Sequence, residues 1–310
     1  MTTVALATDS PLAKYAAYFA RSLRGANKAA PTVEIYMRAV LGYDRFAVAH
    51  DLPRILQKIK RDHVEQYMDD VQQNMKPASA ATRYAGLRAF FSWALSTGEI
   101  RKSPLDGMRP PAVPLPDVRT VSEAQIKAML DACKGSTFRQ RRDYAIIRFL
   151  ADSGCRRAEV AGLKVQDLDQ TTCQAVVTGK GSKTRTVVYS AATASAIDRY
   201  MMARDDHTLA SRTDALFLGP TRPLPPDAIN AIVQRRAARA GVANHDGTAI
   251  HCHMLRHTFA HRSKASGMSE EQIMVLGGWR DHQTMVRYGR SEAAVRAIDA
   301  GAKVLLKVGY

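Results

Sequence analysis

The 310-residue chain, at 34.1 kDa, exceeds what one small core needs and suits two domains. Hydrophobic residues make up 46% and charged residues 24%, no apolar run is long enough to span a bilayer, and the N-terminus lacks a signal-peptide pattern, which excludes a membrane protein and points to the cytoplasm. Lys and Arg number 45 against 29 Asp and Glu, giving a net charge of +16 and a pI near 9.9; such a field attracts nucleic acid, although charge alone equally allows a basic soluble enzyme.

The first hundred or so residues read as helix throughout. Leu12, Tyr15, Ala16, Phe19 and Leu23 form one apolar face. A second segment, from Pro31 to about Ala49, carries Val33, Tyr36, Met37, Val40, Leu41 and Phe46 near helical spacing. A third runs from about Arg61 to Asn74. A fourth follows Pro77, turns Tyr84, Leu87, Phe90, Phe91 and Leu95 inward, and ends at Gly98; Arg83 and Arg88 lie on its other face. Five prolines between Pro104 and Pro116 cannot continue a helix and form an extended strap. The division expected is a helical module over 1–103, a proline-rich linker over 104–118, a second domain over 119–290 and a tail over 291–310.

The second domain opens on a helix start. Ser122 and Gln125 make a capping box, and Val121 and Ile126 a hydrophobic staple. A helix from about Arg141 to Ala151 breaks at Ser153-Gly154. Gln174 to Tyr189 reads as a hairpin around a Gly-Lys-Gly-Ser-Lys turn. Helices follow over about Ala191–Ala203, Pro226–Ala240 and Met254–Ala265, with Gly267 as a terminating glycine. Ser269 and Gln272 then cap a helix that stops at Gly277-Gly278. The fold class expected is mainly α with a small β-sheet. Cys133, Cys155, Cys173 and Cys252 have no C-x-x-C spacing and read as reduced thiols.

Five features carry chemistry, each weak alone. Arg156 and Glu159 are three apart and share a helix face, an arrangement that also suits a surface ion pair. Lys180, Lys183 and Arg185 crowd one glycine-rich turn, which lacks the spacing of a nucleotide-binding P-loop and equally fits a solvated hairpin tip. His253 and Arg256 share one face at a helix start, where backbone N–H groups favour anions, while Leu255 and Phe259 point to the core. His253, His257 and His261 recur every four residues, but Thr258 stands where a zinc-protease pattern requires Glu, so no metal is expected. Trp279 precedes Tyr288 by nine positions; alone, Tyr288 reads as a core residue.

In this order the residues resemble the tyrosine recombinase (phage integrase) family, whose pattern is R-x-x-E, a lysine on a β-turn, H-x-x-R, His or Trp, and a nucleophilic tyrosine. The resemblance covers nearly the whole chain, and the ordered set is far more specific than any one motif. It implies a helical core-binding domain joined to an α+β catalytic domain, and site-specific cleavage and rejoining of DNA through a 3′-phosphotyrosyl intermediate. It assigns the catalytic positions to Arg156, Lys180, His253, Arg256, Trp279 and Tyr288, with Glu159 in support. Arg83, Arg88, Lys183 and Arg185 become candidate DNA contacts. One ester replaces another, so no cofactor is implied. The partners implied are double-stranded DNA recombination sites, three further copies in a homotetramer, and accessory DNA-bending proteins. Only a short segment precedes the first helix, so the extra arm-binding domain of many phage integrases is expected to be absent. In the tail, Val295, Ile298, Ala302 and Leu305 form an apolar stripe suited to docking on a neighbouring subunit, or on its own domain.

Overall fold

The computed structural model describes residues 10–114, 118–179, 181–244 and 246–279. The chain divides into two units, 1–115 and 116–310.

In the first unit, α1 (Pro11–Gly25), α2 (Ala30–Ala49), α3 (Arg61–Asn74) and α4 (Pro77–Ser96) surround one core. α1, α2 and α4 start with proline in their first turn, where the missing N–H has no helical partner to lose. Aromatic rings fill the middle: Phe19 packs edge-on to Phe90 at 5.5 Å, and Tyr43 packs edge-on to Tyr67 at 5.7 Å. Leu95, expected inside, is 45% exposed, and Ala94 takes the buried place beside Phe90 and Phe91. Asp44 is buried and satisfied, accepting from Ser10 Oγ at 2.8 Å and from the Arg54 guanidinium at 2.9 and 3.1 Å.

The second unit is helical around a small antiparallel sheet. α5 (Glu123–Asp131) and α6 (Phe138–Ser153) both begin with a capping box. The box of α6, Thr137 with Gln140, starts that helix three residues earlier than the apolar pattern alone suggests. α6 stops at Gly154, whose φ of +60° suits glycine. The short α7 (Arg157–Ala161) follows. The sheet order is β1 (Leu168–Asp169), β2 (Gln174–Thr178), β3 (Thr184–Val188). β2 and β3 form the expected hairpin, with Ala175 opposite Val187 and Val177 opposite Arg185. Then come α8 (Ala191–Asp205), α9 (Pro226–Arg239), α10 (Cys252–Ala265) and α11 (Glu270–Gly277). α6 runs through the core with Ile146, Ile147, Phe149 and Leu150 fully buried. Among the described residues no helix is long and apolar enough to cross a membrane.

Candidate functional site

The site grows from the αL turn at Gly154. A β-carbon there would lie 2.3 Å from Phe259 Cδ1, so only glycine lets the α6 terminus reach α10. The turn delivers Cys155 to the interior and Arg156 to the N-cap of α7. Arg156 N–H donates to Glu159 Oε2 at 2.8 Å, and its guanidinium donates to Oε1 at 2.8 Å. Glu159 is only 2% exposed. It accepts a second guanidinium, that of Arg185, at 2.8 and 2.9 Å.

Burial alone would raise the Glu159 pKa. The paired Arg185 and the bonds from Arg156 overcome this and hold it at about 2. Glu159 is therefore a fixed anion, suited to orienting two guanidiniums and unsuited to moving protons near neutrality.

Both arginines also grip the end of α11. Arg185 Nε donates to the Leu276 carbonyl at 2.8 Å, and Arg156 Nη2 donates to the Gly278 carbonyl at 2.9 Å. Gly278 closes α11 in the left-handed region at φ +65°. Trp279 follows at once. Its ring lies 3.9 Å from the Arg256 guanidinium carbon and stacks on Phe259 at 6.5 Å. Arg256 is 1% exposed and donates to the Gly154 carbonyl at 2.7 Å. Residues 156, 256 and 279, far apart in sequence, thus converge.

His253, only part of which faces solvent, sits in the first turn of α10, its ring 4.6 Å from that of His257. Burial, then the charges of Arg256, His251 and Arg156, depress the His253 pKa, so the imidazole is neutral at pH 7 and can accept a proton. Burial, then the charges of His253, Arg256 and His251, push His257 down to about 4. Among the described residues no cluster of His, Cys, Asp and Glu has the arrangement of a metal site.

The hairpin turn closes over Glu159: a β-carbon on Gly179 would lie 3.2 Å from Oε1. Lys183 is exposed on that turn. Lys180 and Tyr288 lie outside the described residues, as does the 291–310 tail.

Arg185, a candidate DNA contact, stands beside Arg156 on Glu159. Expected as a DNA contact, its side chain is only 13% exposed and is committed to Glu159 and the Leu276 carbonyl. It is a brace of the site. The sequence carried the signal: Arg185 lies two residues before buried Val187 on β3, and residues two apart share a strand face. In the first unit, Arg83 lines a hollow of about 560 Å³ with Arg38 and Lys76. Arg88 is exposed.

The sequence model of the Phage integrase family matches residues 119–294, and that of the phage integrase N-terminal SAM-like domain matches residues 17–98. The chain belongs to the phage integrase family. It is 31% identical over 241 residues to a protein named tyrosine recombinase XerC from Azotobacter vinelandii, covering 77% of this chain and 76% of that one. With the XerC of Salmonella typhi it shares 31% identity over 198 residues, which is 63% of this chain and spans 64% of the relative's length. Two solved structures share the phage integrase fold. The XerH site-specific recombinase bound to a palindromic difH substrate gives a TM-score of 0.72 at 16% identity, over 92% of this chain and 94% of that one. A lambda integrase dimer on a COC′ core site gives 0.68 at 15%, over 89% and 94%.

Proposed function

We propose that this chain is a site-specific DNA recombinase that breaks and rejoins duplex DNA through a 3′-phosphotyrosyl link to Tyr288. The convergence of Arg156, held on buried Glu159 and on the Gly278 carbonyl, with Arg256, held between the Gly154 carbonyl and the Trp279 ring, is the observation that carries this reading. Phosphodiester exchange passes through a crowded, negatively charged state at phosphorus. Two guanidiniums held in fixed orientation stabilise it by binding its oxygens as forks. In this mechanism the Tyr288 oxygen attacks phosphorus and its proton passes to neutral His253. The 5′ oxygen leaves with a proton from Lys180. Trp279 holds Arg256 beneath its ring and offers its indole N–H to a phosphate oxygen. Glu159 and Arg185 brace the pair. A 5′-hydroxyl from a partner strand reverses the step, so neither metal nor ATP is consumed.

The likeness to recombinases solved on DNA sites supports double-stranded recombination sites as the substrate. The proposal places the core-DNA-binding domain at 1–103, the linker at 104–118 and the catalytic domain at 119–290. Arg83, Arg88 and Lys183 contact DNA, joined by Arg38 and Lys76 from the hollow beside Arg83. The enzyme works in the cytoplasm as a homotetramer, with accessory DNA-bending proteins, and the 291–310 tail docks on a neighbouring subunit. The test is a nicked suicide substrate incubated with wild type and Tyr288→Phe. The reading expects an SDS-resistant adduct with wild type alone while both proteins bind the DNA. Binding by both with no adduct on any candidate site overturns it in favour of a non-catalytic DNA-binding protein.

A further inference from the structure

A second concentration of arginine lies away from the proposed cleavage site. Asp143 on α6 is fully buried and is shared by three guanidiniums. Arg142 donates to its Oδ1 at 2.8 and 3.0 Å. Arg236 reaches its Oδ2 at 2.8 and 2.9 Å, and Arg235 reaches the same oxygen at 3.1 Å. Arg142 and Arg236 are themselves buried, at 4% and 5% exposure, and each donates from Nη1 to a carbonyl, that of Leu218 and that of Ala132 respectively. Neutral carbonyls satisfy hydrogen bonds and leave the charge in place. One carboxylate against the two buried guanidiniums leaves about one positive charge uncompensated in a poorly solvated place, where counter-charge is most valuable, and Arg235, 57% exposed, adds a second at the solvent edge.

These residues line a cavity of about 630 Å³. Arg139 and Arg239 also line it, exposed and without a carboxylate partner among the described residues. Its described lining therefore holds five arginines and one acid. Asp227, on the first turn of α9, pairs with Arg157, the neighbour of Arg156. The arginines at 235–239 follow eight to twelve residues later, so they lie roughly 12–18 Å further along the helix at 1.5 Å per residue. That is about four or five base steps at 3.4 Å.

We infer that this cavity is a second phosphate-binding site, one that takes a phosphate or short polyphosphate oxyanion. Guanidinium forks fit tetrahedral oxyanions in pairs, and the cavity offers the exposed Arg139, Arg235 and Arg239 around a buried positive floor. The phosphate can belong to the DNA backbone beyond the cleaved position or to a free polyphosphate. The inference does not depend on Tyr288 chemistry.

The experiment compares wild type with the triple variant Arg139→Gln, Arg235→Gln, Arg239→Gln, which leaves the buried Arg142–Asp143–Arg236 group in place. A charge-retaining Arg→Lys triple serves as the folding and charge control. Inorganic tripolyphosphate is titrated while Tm is followed, and duplex affinity is measured against salt. Any anion effect at the proposed cleavage site is common to all three proteins and cancels in the comparison. A tripolyphosphate-dependent rise in Tm that is lost in the Gln triple and largely kept in the Lys triple assigns the site to a free polyanion. A slope of log affinity against log salt that becomes shallower by about 1–3 in the Gln triple assigns it to DNA phosphates. Equal Tm responses together with equal slopes in wild type and the Gln triple overturn the inference.

Discussion

Replacing Glu159 by Gln removes the anion that Arg156 and Arg185 share. Glutamine keeps the shape but offers one acceptor oxygen, and its amide N–H groups face guanidinium N–H groups. The fall of the Glu159 pKa from 4.5 to about 2 corresponds to about 3 kcal/mol of differential stabilisation. Breaking a buried ion pair from one side costs about 3–5 kcal/mol in general, which agrees. For a unit of the size of 116–310, that predicts a Tm lower by roughly 6–12 °C. The pH dependence gives a sharper signature. A carboxylate with a depressed folded pKa contributes its stability above the unfolded value and loses it as pH falls through the folded one. The gap between wild type and Glu159→Gln, followed by urea denaturation, should be full above pH 5 and narrow as pH falls from 4.5 toward 2. A gap below about 1 kcal/mol at pH 7, or one that does not change between pH 5 and 2, refutes the reasoning.

Gly154→Ala forces a side chain into φ +60° and a β-carbon to within 2.3 Å of Phe259; the backbone term alone costs about 1–2 kcal/mol, and urea denaturation should show at least that loss. His257 should titrate by NMR with a midpoint near 4; a midpoint near 6.5 would contradict its burial beside His253 and Arg256. Because its folded pKa is depressed, the stability linked to it is full above pH 6.5 and declines as pH falls toward 4. Burial pushes the thiols of Cys133 and Cys155 up to about 11 and that of Cys252 up to about 12, so a thiol reagent should label Cys173 quickly in the native protein and the other three only after unfolding.

Much of this molecule is legible in its sequence, because its signals are local. Capping boxes at Ser122 and Ser269 and glycine stops at Gly154 and Gly278 are short-range chemistry, and each stands where the pattern puts it. Asp44 was not legible, since its buried place depends on Ser10 and Arg54, distant in sequence. β1 was not legible either, being two residues long and formed only by pairing with β2. In the site, Arg156 and Glu159 could be paired from their spacing alone. That the same carboxylate also binds Arg185, and that both arginines hold the end of α11, required the fold. Arg185 follows the turn lysines in sequence, and strand alternation puts it on the face of buried Val187.

The most direct measurement is to trap the protein on a nicked duplex bearing a candidate site, digest the adduct, and identify by mass spectrometry the residue that carries the nucleotide. If the chemistry is as proposed, the 3′-phosphate is esterified to Tyr288 and Tyr288→Phe yields no adduct under the same conditions. An adduct on another residue, or one that persists in Tyr288→Phe, contradicts the assignment of Tyr288 as the nucleophile.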